Sequence, residues 1–219
     1  MSRPPAASSI FVYGASGHGK VVADILRAQG VRVAGFIDDQ PENKQLAILG
    51  LNVAGDGKWL VDQARRQPVA IALGIGSNAD RQRIANYCVS AGVHLLTAVH
   101  PSAVIAPSAH IGAGVVIMAG VVVNPDAQIG TGAILNTGTI VEHDCQVGEF
   151  AHLSPHAAMG GGAKIGSLSW LGMGAVIIHG VSVGTNTIIG AGAAVVRDIP
   201  DGVVAMGVPA RVSRSVALP

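Results

Sequence analysis

The residues best suited to proton transfer lie together in the segment Val141-Glu-His-Asp-Cys145. A neutral imidazole accepts a proton near pH 7, so His143 is a candidate general base toward an attacking amine or hydroxyl. Asp144 follows directly and is the expected partner that orients the ring and raises its basicity, with Glu142 as the alternative partner. No serine or cysteine stands in a nucleophile setting beside a base, so the pattern favours direct transfer over a covalent enzyme intermediate.

A second candidate site lies near the amino terminus. Gly14, Gly17 and Gly19 are spaced G-x-x-G-x-G, which differs from the dinucleotide-binding order G-x-G-x-x-G. A strand, a glycine loop and a helix amino terminus together offer backbone N–H groups to a phosphate. Asp38 and Asp39 end the next predicted strand, where a carboxylate can accept hydrogen bonds from a ribose or a base. The pattern predicts a phosphate- and nucleoside-binding site.

The elements that must position this second site lie in residues 1–98, which alternate between strand and helix patterns. Such alternation predicts a small parallel sheet with helices packed on it, a Rossmann-like α/β domain that spans residues 1–98. Strands are predicted at Ile10–Tyr13, Val31–Ile37 and Val69–Ile75, and helices at Lys20–Ala28, Lys58–Arg66 and Asp80–Ser90.

From Ile105 onwards the sequence has a period of six. Every sixth residue from Ile105 to Val195 is aliphatic, and the residue four positions later is small or β-branched in all sixteen repeats. This period predicts a parallel β-helix, in which each repeat is one short strand and a turn, and three repeats form a coil. We expect the aliphatic residue to point inward and the small residue to fill the corner. The glycine that follows the aliphatic residue in eight repeats is expected to supply turn conformations. The predicted β-helix domain is residues 99–219.

The coil of eighteen residues also predicts which turn residues lie above one another. Gly161 follows His143 by 18 residues and His179 follows it by 36, so the three are expected along one corner. A backbone N–H near Gly161 is therefore a candidate donor to the oxyanion of a tetrahedral intermediate.

Composition limits the function classes. Lys plus Arg total 14 against 13 Asp plus Glu, and no basic stripe is present, which argues against a nucleic-acid partner. The longest uncharged apolar stretch, Ile111–Val123, has 13 residues, whereas a membrane-spanning helix needs ~20. The amino-terminal sequence MSRPPAASS is not followed by a signal-peptide core, so a cytoplasmic protein without a membrane span is predicted. Cys88 and Cys145 are expected to be buried thiols.

Three features together carry a family resemblance: the hexapeptide run, the segment Gly207-Val-Pro-Ala-Arg211 at its end, and the head Tyr13-Gly-Ala-Ser-Gly-His-Gly-Lys20 with Asp38-Asp39. They resemble the sugar N- and O-acyltransferases that join a nucleotide-sugar-binding domain to a left-handed β-helix. Members acetylate bacillosamine precursors, GDP-perosamine or sialic acids. The resemblance covers nearly the whole chain and implies a left-handed β-helix, a homotrimer with active sites between subunits, acetyl-CoA as cosubstrate and no metal.

The resemblance also implies roles for individual residues. The histidine of the motif is the family's general base and the next carboxylate supports it, which assigns these roles to His143 and Asp144. Some members have glutamate where this chain has Asp144. Positions that match the family's acetyl-CoA site are His152, near the acetyl carbonyl, and Met173 and Ala191, where the coenzyme lies between subunits. Gly161 is added to this cofactor site as the candidate oxyanion donor that the spacing predicts. Positions that match the sugar-nucleotide site are Ser16, Gly17, His18, Asp38, Asp39 and Gly76, with Asn136 beside the transfer centre.

The resemblance implies transfer of an acetyl group from acetyl-CoA to the amino group of a UDP- or GDP-linked 4-amino-4,6-dideoxy sugar. Such a sugar, perosamine-like or bacillosamine-precursor-like, serves a surface polysaccharide such as O-antigen. O-acetylation of a sialic-acid-like sugar is the first alternative. A metalloenzyme like the γ-type carbonic anhydrases is less favoured, because its third histidine would fall at position 184, which is glycine. A non-catalytic nucleotide-sugar binder is the last alternative.

Overall fold

The computed structural model describes residues 8–216, which form two compact units that divide between Pro101 and Ser102. Residues 1–7 and 217–219 lie outside the described residues, and with them most of the segment used to argue against a signal peptide. The domain boundary after residue 98 stays a prediction. Each unit is described by itself below.

Among the described residues, the first unit contains a mixed sheet, three α-helices and a short 3₁₀ helix. Strand order is β3-β4-β2-β1-β5-β6, and all neighbours pair in parallel except β3 and β4. The elements are β1 (Ser9–Tyr13), α1 (Gly17–Ala28), β2 (Gly35–Ile37), the 3₁₀ helix Pro41–Gln45, β3 (Ala47–Ile48), β4 (Leu51–Gly55), α2 (Gly57–Ala64), β5 (Val69–Leu73), α3 (Asn78–Ser90), β6 (His94–Leu95) and β7 (Ala98–Val99).

The six predicted elements of this unit are present, with shifted ends. Helix α1 begins at Gly17, three residues before the predicted start, so Gly17 and His18 form its first turn rather than a loop. The strand predicted over Val31–Ile37 is shorter, because the Val31 N–H donates to Leu26 O at the end of α1. The predicted parallel sheet has one antiparallel edge, where β3 pairs with β4. The turn between them uses positive φ at Leu49 (54°) and Gly50 (76°).

The second unit contains sixteen two-residue strands within the described residues, followed by a hairpin. Strands eighteen residues apart pair in parallel, as Val141 does with Val123 and Met159, so three repeats form one coil as predicted. The strands are β8 (Val104–Ile105), β9 (His110–Ile111), β10 (Val116–Ile117), β11 (Val122–Val123), β12 (Gln128–Ile129), β13 (Ile134–Leu135), β14 (Ile140–Val141), β15 (Gln146–Val147), β16 (His152–Leu153), β17 (Ala158–Met159), β18 (Lys164–Ile165), β19 (Trp170–Leu171), β20 (Val176–Ile177), β21 (Ser182–Val183), β22 (Ile188–Ile189), β23 (Ala194–Val195), and the hairpin strands β24 (Val203–Met206) and β25 (Arg211–Ser215).

The core of this unit is built from the second residue of each short strand. From Ile117 to Val195 every such residue is buried, and only Ile105 and Ile111 in the first two strands are half-buried. The corner position holds Cys145, whose Sγ–H donates to Gly160 O at 3.2 Å. Both cysteines are free and buried, as predicted.

The reason predicted for the glycines that follow the inward residue in eight repeats is wrong. A Cβ on Gly160 would lie 2.7 Å from His179 N in the next coil, so glycine is needed there for close approach between coils. The left-handed backbone falls two residues later, at positions such as Gly162 (φ 67°) and Asp144 (φ 59°). The stacking distance of ~4.8 Å between coils explains why a Cβ does not fit at Gly160. The geometry of the turn explains the positive φ two residues later.

The outward residues give the three sheets of the β-helix different surfaces. The polar face carries the first residues of β9, β12, β15, β18 and β21, which are His110, Gln128, Gln146, Lys164 and Ser182. The apolar face carries those of β8, β11, β14, β17, β20 and β23, which are Val104, Val122, Ile140, Ala158, Val176 and Ala194. The third face carries those of β10, β13, β16, β19 and β22, which are Val116, Ile134, His152, Trp170 and Ile188.

Two corners border the apolar face. The His143 corner leads from the apolar face to the polar face and carries His143, Gly161 and His179 in successive coils. The Met173 corner leads from the third face to the apolar face and carries Met173 and Ala191 in successive coils.

Candidate functional site

His143 and Asp144 form a pair on the turn between β14 and β15. His143 Nδ1 lies 2.7 Å from Asp144 Oδ2, and the two side chains are 62% and 64% exposed. The positive φ of Asp144, 59°, is a conformation that aspartate tolerates. The hydrogen bond from the ring to the Asp144 carboxylate raises the pKa of His143 above its ordinary value. With Nδ1–H donating to Asp144, Nε2 is the ring nitrogen that accepts a proton.

Gly161 lies against this imidazole, one coil further along the His143 corner. A Cβ on Gly161 would be 2.6 Å from His143 Nε2 and 2.7 Å from Cε1, so the ring occupies the space that any side chain at this position needs. The Gly162 N–H donates to His143 O at 2.9 Å, which fixes the two turns relative to each other. Within residues 8–216, no acceptor takes the Gly161 N–H. A proton acceptor and a free backbone donor are therefore adjacent on this corner.

His152 and Asn136 form a separate cluster beside the third face. Asn136 Nδ2 lies 3.2 Å from His152 Nε2, so an amide that donates here places the ring proton on Nδ1. The buried His152 ring stacks on Trp170 with centroids 4.9 Å apart and planes 20° apart. Trp170 Nε1–H in turn donates to Ser154 Oγ at 2.6 Å. Trp170 and Ser154 were missed at the sequence level, although Trp170 follows His152 by one coil of eighteen residues.

Met173 and Ala191 are exposed on the Met173 corner. They follow strands of the third face, whereas His143, Asp144 and Gly161 follow strands of the apolar face. Within one chain, the residues expected to contact acetyl-CoA are thus divided: Gly161 lies beside His143 on one corner, Met173 and Ala191 lie on the other corner, and His152 lies on the third face.

In the first unit, the residues expected at the sugar nucleotide come from the carboxyl ends of β1, β2 and β5. Because β1 lies between β2 and β5, these ends meet where the strand order reverses, the usual place for a ligand in an open α/β sheet. Ser16 is the N-cap of α1, and its side chain makes no capping hydrogen bond. Ser16 and Gly17 are exposed and Gly76 is half-buried.

The two consecutive aspartates have different surroundings. Asp38 is buried, and its carboxylate accepts hydrogen bonds from Ala15 N–H at 2.6 Å, Gln40 N–H at 2.9 Å and Asn43 Nδ2 at 3.0 Å. These bonds tie the glycine loop to the end of β2, which favours a role in shaping the loop over one in facing the ligand. Asp39 is exposed and accepts from Gly57 N–H at 2.9 Å and from the Tyr13 hydroxyl.

Arg81 is a buried cation beneath this site that was missed at the sequence level. Its guanidinium donates to Ile75 O and Gly76 O, both at 3.0 Å, and to Asn78 Oδ1 at 2.8 Å, so it shapes the loop that contains Gly76. Burial and the charge of Arg81 lower the pKa of His18 to about 4, which makes this imidazole neutral at pH 7. In the sequence, an arginine in the polar first turn of a helix is indistinguishable from a surface residue.

Across residues 8–216, no group of three or more His, Cys, Asp or Glu side chains is arranged to hold a metal ion. No helix within the same range has the length and apolarity to cross a membrane.

Two family descriptions match the chain. The PglD N-terminal domain matches residues 9–88, and the bacterial transferase hexapeptide (six repeats) matches residues 162–197. A curated relative, UDP-N-acetylbacillosamine N-acetyltransferase of Bacillus subtilis (strain 168), is 35% identical over 120 residues. That match spans about half of each protein, 51% of this chain and 51% of the relative.

Solved structures with bound ligands are similar over nearly the whole chain. PerB from Caulobacter crescentus, in complex with CoA and GDP-perosamine, is 44% identical with a TM-score of 0.89, covering 95% of this chain and 98% of that one. The acetyltransferase domain of PglB from Neisseria gonorrhoeae FA1090, in complex with acetyl coenzyme A, is 36% identical with a TM-score of 0.87, covering 94% and 98%.

The predicted fold class, an α/β domain followed by a left-handed parallel β-helix, is confirmed by these similarities and by the observed strands. Because the likeness extends through both units at 44% identity, the chain belongs to the family of hexapeptide-repeat sugar N-acetyltransferases that carry an amino-terminal domain of the PglD type.

Proposed function

We propose that this protein transfers an acetyl group from acetyl-CoA to the amino group of a nucleotide-linked 4-amino-4,6-dideoxy sugar. The observation that carries the proposal is the His143 corner, where an imidazole is oriented by Asp144 through Nδ1 and presents Nε2 beside Gly161. The similarity to PerB, solved with CoA and GDP-perosamine, supports a GDP-linked sugar of the perosamine type. A UDP-linked sugar is the alternative that the shorter Bacillus match supports.

The proposed reaction is a direct attack on the thioester. The sugar nitrogen forms a bond to the thioester carbon as His143 Nε2 removes its proton. The carbonyl oxygen becomes an oxyanion, to which the free Gly161 N–H is the candidate donor. When the tetrahedral intermediate collapses, the carbon–sulfur bond breaks and the CoA thiolate leaves, taking the proton from the imidazolium. No covalent enzyme intermediate is required.

The apolar face explains how residues on two corners can serve one reaction. Val104, Ile140 and Val176 on this face are 64%, 41% and 38% exposed in one chain, which is unfavourable for so many aligned apolar side chains. Both the His143 corner and the Met173 corner border this face. A cyclic assembly of three copies that buries the apolar face would place the His143 corner of one copy beside the Met173 corner of the next. We therefore propose a trimer in which acetyl-CoA lies between subunits.

Replacing Ile140 by glutamate is expected to prevent trimer formation, because it places a charge on the buried side of the proposed interface. The monomer itself should stay folded, since Ile140 is 41% exposed in the single chain. Light scattering coupled to size-exclusion chromatography measures the mass, and a thiol-release assay measures the accompanying loss of activity.

Gln146→Glu is the matched control, because Gln146 is the outward residue of the neighbouring strand on the polar face. It should leave both mass and activity unchanged. A trimeric, active Ile140→Glu protein would contradict the assignment of the apolar face.

Replacing Asp144 by asparagine is expected to move the acid limb of the kcat/KM profile to lower pH. The hydrogen bond to Asp144 raises the pKa of His143, and a base is active in its deprotonated form, so activity rises as pH passes through that pKa. Without the carboxylate the pKa falls, while the plateau rate also drops because the ring is less basic and less well oriented. The amine of the acceptor titrates equally in both proteins, so the difference between the two profiles belongs to the enzyme.

Glu142→Gln serves as the control for Asp144→Asn, because Glu142 acts on the pKa of His143 through charge alone and contributes least. It should shift the limb only slightly. An acid limb that is the same in Asp144→Asn and wild type would show that His143 is not the group that titrates.

The proposed function itself is tested by thiol release from acetyl-CoA with a panel of GDP-, UDP- and dTDP-linked 4-amino sugars. Sialic acid serves as the hydroxyl acceptor for comparison. Fast release with one amino sugar supports the proposal and identifies the nucleotide. Release with sialic acid alone would replace it by O-acetylation, and binding of nucleotide sugars without release from any acceptor would favour a non-catalytic binder.

A further inference from the structure

The Tyr13 hydroxyl contacts both oxygens of the Asp39 carboxylate. Tyr13 is the buried last residue of β1, and its Oη lies 2.8 Å from Asp39 Oδ2 and 3.0 Å from Oδ1. An ionised carboxylate only accepts hydrogen bonds, so the phenol is the donor. The ring thus reaches from the central strand to the second residue after the end of β2.

The Tyr13 phenol is the form that donates this hydrogen bond at neutral pH. Burial of the ring, together with the hydrogen bond to Asp39 and its charge, holds the pKa of Tyr13 well above its ordinary value. The phenol therefore keeps its proton, and Asp39 keeps its donor.

A second donor holds the same carboxylate at the amino terminus of α2. The N–H of Gly57, the first residue of that helix, donates to Asp39 Oδ1 at 2.9 Å. A Cβ on Gly57 would overlap the Tyr13 hydroxyl and lie 3.3 Å from Asp39 Oδ1, so only glycine lets the three groups meet. A helix amino terminus also favours a negative charge. Asp39 is thus anchored by β1 and α2 at once.

The anchoring leaves one side of the carboxylate for a ligand. Oδ1 accepts from both Tyr13 and Gly57, whereas Oδ2 accepts from Tyr13 alone, and the Asp39 side chain is exposed. A group that only accepts hydrogen bonds recognises an O–H or N–H donor, and a side chain held in place before binding loses less entropy when it binds. The ribose hydroxyls and the base N–H groups of a nucleoside are donors of this kind.

We propose that Tyr13 is a positioning residue that aims the Asp39 carboxylate at a donor on the nucleoside of the sugar nucleotide. This inference rests on the proposed function, because it takes the sugar nucleotide as the ligand of the first unit. Tyr13 itself is buried behind Asp39 and acts only through it.

Tyr13→Phe removes the hydroxyl and keeps the buried ring, so it tests the inference directly. We expect KM for the nucleotide sugar to rise about tenfold, the effect of losing one hydrogen bond to a charged group. The kcat and the KM for acetyl-CoA should stay at wild-type values. Tyr87→Phe is the matched control, because Tyr87 is half exposed and its ring also lies beside Gly57. It should leave all three constants unchanged.

A double-mutant cycle separates positioning from general stabilisation. In an Asp39→Ala background, Tyr13→Phe should cause no further rise in KM, because the group that Tyr13 aims is gone. An equal rise in both backgrounds, or a wild-type KM for Tyr13→Phe alone, would overturn the inference.

Calorimetric titration with GDP and UDP keeps the test independent of catalysis. If the wild-type protein acetylates no acceptor, the proposed function fails, yet weaker nucleotide binding by Tyr13→Phe still supports the role of Tyr13. A wild-type protein that binds neither nucleotide, or a Tyr13→Phe protein that binds them as tightly as wild type, would overturn it.

Discussion

His143→Asn is expected to lower kcat by about 10²–10⁴-fold, the usual contribution of a general base. At neutral pH the acceptor amine must lose a proton as it attacks, and asparagine has no nitrogen that accepts one. The fold should be unaffected, because the His143 side chain is 62% exposed on a turn and fills no part of the core. Steady-state thiol release gives kcat, and thermal unfolding of the same samples reports the fold.

His179→Asn is the matched control for this change. His179 is an exposed histidine on the same corner, two coils beyond His143, and has no carboxylate bonded to its ring among the described residues. It should retain wild-type kcat. Near-normal turnover in His143→Asn, or an equal loss in His179→Asn, would refute the assignment of His143 as the base.

The β-helix could be predicted from the sequence because its information is local and repeated. Each repeat places one inward aliphatic residue and one small corner residue, so a period of six specifies strand, coil and register together. The same register placed His143 and Gly161 on one corner, where the structure shows the ring against the glycine. Residues eighteen positions apart lie above one another in successive coils because the period is fixed, whatever the details of side-chain packing.

The different surfaces of the β-helix sheets could also have been predicted from the period of six. The residue before each inward aliphatic residue is apolar throughout one sheet and polar throughout another, and this contrast appears only when every third repeat is compared. The wrong prediction for the glycine after the inward residue has another cause. Close approach between coils is a property of stacked turns, which the conformation of a single turn does not reveal.

The α/β unit was less predictable, because its polar contacts join segments that are far apart in sequence. Asp38 and Asp39 are alike in the sequence, yet one is buried under three donors and the other is exposed with a free side. Arg81 lies in a polar helical turn and is nevertheless fully buried beneath the loop of Gly76. Which polar residue is buried depends on tertiary packing, which hydrophobic periodicity does not encode.

Gly161→Ala is expected to lower kcat by about 10²-fold, because misplacing a catalytic group by about 1 Å has effects of that size. The new Cβ would lie 2.6 Å from His143 Nε2, so the exposed ring must move away from the position where it meets the acceptor. The turn itself tolerates alanine, since Ala113, Ala119 and Ala191 occupy the equivalent position of other repeats. Unchanged thermal unfolding alongside the lower kcat would therefore locate the effect in the imidazole.

Combining His143→Asn with Gly161→Ala shows which function of Gly161 accounts for the lower kcat. If the new Cβ acts only by displacing the ring, the double variant His143→Asn/Gly161→Ala should be no slower than His143→Asn alone, because the displaced base is already absent. If the Cβ also disturbs the free Gly161 N–H as oxyanion donor, the double variant should lose further activity. A wild-type kcat in Gly161→Ala would contradict both roles of Gly161, as the residue that leaves space for the His143 ring and as the oxyanion donor.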